Sequence, residues 1–195
     1  LVQKDWLTIY DQYIQKNEVK MVASGVCYLP KNGLMSAFQN LDFLSLQGAT
    51  IGSFGIEKPF MCNGANFAYS KQFFKELNGF QGNETIASGD DVFLLQKAVI
   101  VAPEKVGFLL AKESIVATKP TESWSDLFQQ RVRWASKSTG YSSVYGKLLA
   151  LLVFGGNLAW IMSFLLWLMG LLDQNIFILF VALKFLIDFI LIYKT

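Results

Sequence analysis

Histidine is absent from this 195-residue chain, and cysteine occurs only as Cys27 and Cys62. Without an imidazole there is no Ser-His-Asp triad and no Cys-His nucleophile, since both need a base that works near neutral pH. Two distant cysteines with no CxxC spacing leave a structural zinc site short of ligands. A single disulfide stays open on the sequence alone, but reduced thiols in a cytosolic domain suit the apolar surroundings of both better. A block of Lys or Arg is also lacking, and the net charge is only +2. That balance argues against a nucleic-acid partner.

Charge nearly vanishes from one end. Beyond Lys147 the only charged residues are Asp173, Lys184, Asp188 and Lys194. Leu148–Leu172 is a run of 25 residues with none, which at about 1.5 Å per helical residue exceeds a hydrocarbon core of roughly 30 Å. Ile176–Tyr193 supplies a second run of 18, in which Lys184 and Asp188 stand one turn apart and can pair. The pattern predicts two transmembrane helices, 148–172 and 176–193. Arg131, Arg133, Lys137 and Lys147 precede the first and Lys194 follows the second, while Asp173-Gln174-Asn175 between them has no positive residue. The positive-inside rule then puts residues 1–147 in the cytoplasm, at a bacterial inner membrane or its equivalent, with membrane lipid as a partner. The chain starts at Leu1 without Met or a signal segment and stops just after an apolar run, so it reads as a fragment cut at both ends.

Ahead of the spans, the pattern alternates. Trp6, Ile9, Tyr10, Tyr13 and Ile14 give helical spacing over residues 4–16. Val19 to Leu29 reads as a strand closed by the turn from Pro30 to Gly33. Residues 34–50 read as a helix, followed by a glycine-punctuated loop through Gly52 and Gly55. Short extended pieces follow at 59–62 and 66–69. Ser70 is placed to cap a helix through Leu77 that Asn78-Gly79 would end. A polar loop from Gln81 to Gly89 leads to a helix over 91–100, then strands over 106–110 and 114–118. The class is α/β, with divisions at 1–122, an amphipathic interfacial region at 123–147, and a helical hairpin at 148–195.

Three segments carry candidate chemistry. Gly89-Asp90-Asp91 sets two carboxylates at a helix start. On spacing alone the stronger reading is helix capping, with a general base or a divalent-cation ligand as alternatives. In residues 124–136, Trp124, Leu127, Phe128, Val132 and Ala135 form one apolar stripe. Gln130, Arg133 and Trp134 lie at i, i+3 and i+4 on another face, presenting an amide, a guanidinium fork for phosphate and an indole platform for a sugar ring. The plainer reading of this helix is a juxtamembrane one, with Arg near headgroups and Trp at the interface. The small-residue turn Cys62-Asn63-Gly64-Ala65-Asn66 is either an ordinary turn or a close-approach surface with hydrogen-bonding amides.

In this order, ahead of a membrane hairpin, the segments resemble the C-terminal half of membrane-bound family 2 glycosyltransferases of the processive type. Gly89-Asp90-Asp91 is similar to that family's Thr/Gly-Glu/Asp-Asp motif, and Gln130-Arg131-Val132-Arg133-Trp134 matches its QxxRW signature. The Cys62–Asn66 turn sits where the family has a glycine-containing acceptor turn. The resemblance implies the C-terminal part of a GT-A (nucleotide-diphospho-sugar transferase) domain followed by a transmembrane hairpin. It implies an inverting transferase moving a sugar from a nucleotide-sugar donor to a carbohydrate or lipid hydroxyl. Asp91 would be the base with Asp90 beside it; Gln130 and Arg133 would hold the donor diphosphate, and Trp134 would border the acceptor, with Asn63, Gly64 and Asn66 as further binding residues. A divalent cation, Mg²⁺ or Mn²⁺, is implied for the full-length enzyme, but the family's Asp-x-Asp metal motif does not occur here. It is expected upstream of Leu1, and this chain alone is expected to be inert. The competing reading is a non-catalytic, membrane-anchored α/β interaction module.

Overall fold

A computed structural model of the chain describes residues 1–82, 89–138, 142–193 and 195, with the backbone alone at 137 and 138. Most of the predicted loop between Gln81 and Gly89 lies outside the described residues, as do Lys194 and the side chain of Lys137. Helix α1 (Trp6–Asn17) leads to β1 (Met21–Ser24), whose four residues are all buried. After Gly25 comes β2 (Val26–Tyr28). The predicted single strand over 19–29 is therefore two strands in two sheets, broken at Gly25.

Helix α2 spans Leu34–Gly55, so the glycine-rich stretch expected to be a loop is helical. Tertiary packing outweighs the helix cost of about 1 kcal/mol per glycine. Ser53 is fully buried and bonds the Thr50 carbonyl at 2.7 Å, and the Phe54 ring meets Phe108 at 5.1 Å. The turn at Gly64–Asn66 feeds β3 (Phe67–Tyr69). Ser70 caps α3 (Lys71–Glu76) through its hydroxyl, which accepts from the Phe73 N–H at 3.1 Å. Asn78 and Gly79, at φ 57° and 50°, end it as expected. Helix α4 (Asp90–Val101), β4 (Val106–Leu109) and β5 (Val116–Thr118) complete the α/β part.

β1 is the middle strand of a three-stranded sheet, antiparallel to β3 with Val22 opposite Ala68, and parallel to β4 with Val22 opposite Gly107. β2 pairs in parallel with β5, Val26 facing Val116. Helices cover β1 from both sides of its sheet, and the core forms accordingly on its two faces. Met21 and Ala23 pack with Phe73, Leu77, Leu94 and Leu95 from α3 and α4. Val22 packs with Tyr10, Val19 and Leu109 beneath α1. A third cluster of Val26, Tyr28 and Phe43 joins β2 to α2.

Helix α5 spans Trp124–Ser138. Two long apolar helices follow, α6 (Val144–Leu168) and α7 (Gln174–Tyr193). Both are long and apolar enough to cross a membrane, and almost none of either is buried inside the protein. Helix α6 begins one turn before the expected span because the Ser143 hydroxyl accepts from the Gly146 N–H at 3.1 Å and caps it. In α7, Lys184 and Asp188 form the ion pair that their spacing suggested. Cys27 and Cys62 are free thiols.

Candidate active site

Gly89 enters α4 at φ 100°, a left-handed conformation in which a Cβ would be strained. It occupies the cap position itself, so neither aspartate is the cap. Asp90 is exposed in the first turn. Asp91 instead turns across the fold. Its Oδ2 accepts from the Gly64 N–H at 2.7 Å, and its Oδ1 accepts from its own neighbour, Val92 N–H, at 2.9 Å. The Asn63–Asn66 turn and the Gly89–Asp91 segment are thus brought into direct contact.

The turn is built to make that approach. The Asn63 side chain accepts from the Ala65 N–H at 3.0 Å, folding the backbone into a tight Asx turn. At Gly64 a Cβ would lie 2.9 Å from Asp91 Oδ2 and 3.3 Å from its Cβ, so only glycine fits without shifting the carboxylate. Cys62, one turn of chain earlier, is buried. Burial first, and the nearby Asp91 carboxylate second, push its thiol well above the ordinary range, which keeps it neutral.

Asn66 faces inward. It is 1% exposed, and its amide is saturated. The Oδ1 accepts from Tyr10 Oη at 2.7 Å and from Trp6 Nε1 at 3.2 Å. The Nδ2 donates to the Gly25 and Ser114 carbonyls at 2.6 and 2.8 Å. Its side chain therefore anchors the turn to α1, to the β1–β2 break and to the segment before β5. Burial raises the Tyr10 phenol to about 12, which keeps it protonated and donating to Asn66.

Gln96, further along α4, holds the neighbouring wall. Its Nε2 donates to the Phe60 carbonyl at 3.0 Å, and its Oε1 accepts from Ser142 N–H and Oγ–H at 2.7 and 2.8 Å. Gly146 of α6 lies against the Phe60 ring, where a Cβ would come within 2.8 Å. The sequence reading passed over Gln96, because a glutamine within a helical run has no local mark of its role.

The Gln130–Trp134 segment is fixed by residues that the motif reading did not single out. Arg131 Nε donates to Asp42 Oδ2 at 2.7 Å, and a terminal nitrogen pairs with the same carboxylate. Its Nη1 donates to Gln130 Oε1 at 2.8 Å, and its guanidinium lies 4.3 Å from the centre of the Trp134 ring. Trp134 also meets the Phe43 ring at 6.4 Å. Arg133 is exposed. These contacts turn the Gln130/Trp134 face toward the protein. Of the predicted apolar stripe only Leu127 is buried, while Trp124, Phe128 and Val132 are 54%, 70% and 52% exposed. Among the described residues no hydrogen bond, ion pair or ring contact joins Asp90 or Asp91 to Gln130, Arg133 or Trp134.

No group of three or more Asp, Glu, Cys or His among the described residues is arranged to hold a metal ion. Both Asp91 oxygens already accept from backbone N–H groups. The aspartate pair has no third acidic, Cys or His ligand assembled beside it among the described residues. The family model described as glycosyl transferase family group 2 matches residues 5–193. No curated protein and no solved structure matches the chain.

Proposed function

The chain belongs to glycosyl transferase family group 2, and from that membership we propose that it carries the acceptor side of an inverting sugar-transfer site on the C-terminal part of a GT-A domain. The donor is a nucleotide sugar, and the acceptor is a carbohydrate or lipid hydroxyl. The observation that carries the reading is the 2.7 Å bond from Gly64 N–H to Asp91 Oδ2. It joins two motif segments distant in sequence and orients the Asp91 carboxylate through a backbone N–H.

In the proposed reaction the acceptor oxygen attacks the anomeric carbon in line, and its proton passes to Asp91. The bond from that carbon to the diphosphate oxygen breaks, and the nucleoside diphosphate leaves with the electron pair. Gln130 and Arg133 hold the diphosphate, where a guanidinium and an amide N–H stabilise developing negative charge. Trp134 offers its ring to the acceptor. Asn63 and Gly64 shape the acceptor turn, and Asn66 acts by positioning that turn. A divalent cation stays part of the proposal for the full-length enzyme, with ligands other than the residues described.

Residues 1–147 lie on the cytoplasmic side in this reading, and α6 and α7 span the bilayer. The exposed Trp124, Phe128 and Val132 of α5, continued by Phe38 of α2 at 5.7 Å from Trp124, rest on the lipid surface. The test is Asp91→Asn in the full-length protein. Asparagine still accepts from Gly64 N–H but takes no proton at neutral pH. Turnover is expected to fall by about 10³-fold or more, with binding of the sugar nucleotide retained. Near-normal turnover would remove Asp91 from the role of base.

A further inference from the structure

The guanidinium of Arg131, an interior position of the Gln130–Trp134 motif to which the motif reading gave no role, touches three groups at once. It pairs with Asp42 of α2, donates to Gln130 Oε1 at 2.8 Å and stacks 4.3 Å from the Trp134 ring centre. We propose that Arg131, locked by Asp42, is a positioning residue that sets the direction of the Gln130 amide and the plane of the Trp134 indole for the sugar-nucleotide donor and the acceptor. The inference rests on the transferase reading above.

A guanidinium only donates. The Gln130 amide must therefore turn its oxygen toward Arg131, and its NH₂ group points away with two donors to offer. That is the polarity needed by diphosphate oxygens or sugar hydroxyls, which accept. Without Arg131 the amide is free to flip, and half of its orientations present an oxygen to an anion. The planar fork matters as well as the charge. Nε and one terminal nitrogen engage Asp42 while the other terminal nitrogen engages Gln130, and the guanidinium carbon sits over the indole. A lysine ammonium is a point charge with no fork and no stacking plane.

Asp42 neutralises the charge of Arg131, so the guanidinium acts as a fixed brace and competes little for phosphate. Arg133, exposed three residues after Gln130, forms no ion pair among the described residues and is the cation left for ligand. The motif therefore divides its two arginines between bracing and binding. The brace also reaches the α/β part, because Asp42 sits one residue before Phe43, which packs with Tyr28, Val26 and Trp134.

The test uses Arg131→Lys and Asp42→Asn in the full-length, detergent-solubilised protein. The kinetic readout uses UDP-glucose, UDP-N-acetylglucosamine and GDP-mannose as donors. The structural readout is the ¹⁹F resonance of Trp134 in 5-fluorotryptophan-labelled protein, assigned by its loss in Trp134→Phe. Arg131→Lys is expected to raise donor KM roughly tenfold, to shift the Trp134 resonance and to leave the melting temperature near that of the wild type. Asp42→Asn, which keeps size and removes the lock, shifts the same resonance and raises KM less. A role in stability alone would lower the melting temperature and the active fraction, leaving KM and the resonance unchanged, and that result would overturn the proposal. If the wild type transfers none of the three sugars, the transferase reading loses support, while the resonance still decides whether Arg131 orients Trp134.

Discussion

The Asn66 amide has two N–H donors and an oxygen with two lone pairs, and the fold uses all four. Replacing it with alanine strands the Ser114 carbonyl and takes the acceptor from the Tyr10 hydroxyl and the Trp6 indole, while the Gly25 carbonyl keeps the Val116 N–H. Each polar group left buried and unsatisfied costs about 1–3 kcal/mol. Asn66→Ala is therefore expected to cost about 3 kcal/mol or more of stability, read as a fall in unfolding midpoint, and to loosen the Gly64 turn. An unchanged midpoint would show that water replaces the amide. At this scale the sequence was informative where a motif narrows the choice of residue. Asp91 and Gly64 stood out as a pair of segments, yet nothing in their spacing showed that one donates a hydrogen bond to the other. Asn66 was singled out as a binding residue because exposed and buried asparagines look alike in sequence. Only the meeting of α1, Gly25 and Ser114 around it reveals that its side chain faces inward.

Among elements, local periodicity placed α1, α3, α4 and both long C-terminal helices within a few residues. It failed where tertiary contacts decide. The glycines of α2 suggested a loop, but burial of Ser53 and the contact of Phe54 with Phe108 carry the helix through them. In α5 the periodicity marked an apolar stripe and a second face, but not that the Asp42–Arg131 pair draws the second face inward. No sequence window contains both partners of that pair. Within α7, Lys184 and Asp188 pair at i, i+4 and line a groove of about 540 Å³ with Leu41, Trp160, Phe185 and Phe189. An unpaired ammonium in hydrocarbon costs about 3 kcal/mol. Asp188→Ala is therefore expected to lower resistance to denaturant in detergent by roughly 2–3 kcal/mol. Lys184→Ala/Asp188→Ala should recover most of that loss, and equal losses in the single and double variants would exclude the pairing as the cause.

For the molecule as a whole, the asymmetry of charge along the sequence already separated an α/β part from a hairpin, and the fold keeps that separation. The proposed topology has a direct check. Asn175→Cys, at the start of α7, should react with a membrane-impermeant maleimide in intact cells. Ser125→Cys, exposed on α5, should react only once the membrane is opened, with the wild type as the control for Cys27 and Cys62. The reverse pattern would invert the orientation. How the two parts join was not legible, because the contacts come from residues far apart in sequence: Phe60 meets Tyr145 and Gly146 at the start of α6, and α2 packs against α7. Gln96 ties α4 to the residues that lead into and cap α6, Ser142 and Ser143. It lies five residues after Asp91, about 7.5 Å along the helix axis. In the proposed topology the carboxylate consequently has a set altitude above the bilayer surface. Under the proposed function, an acceptor anchored in lipid would have to carry its hydroxyl to that height, so that this joint would select the length of its polar stem as much as its chemistry.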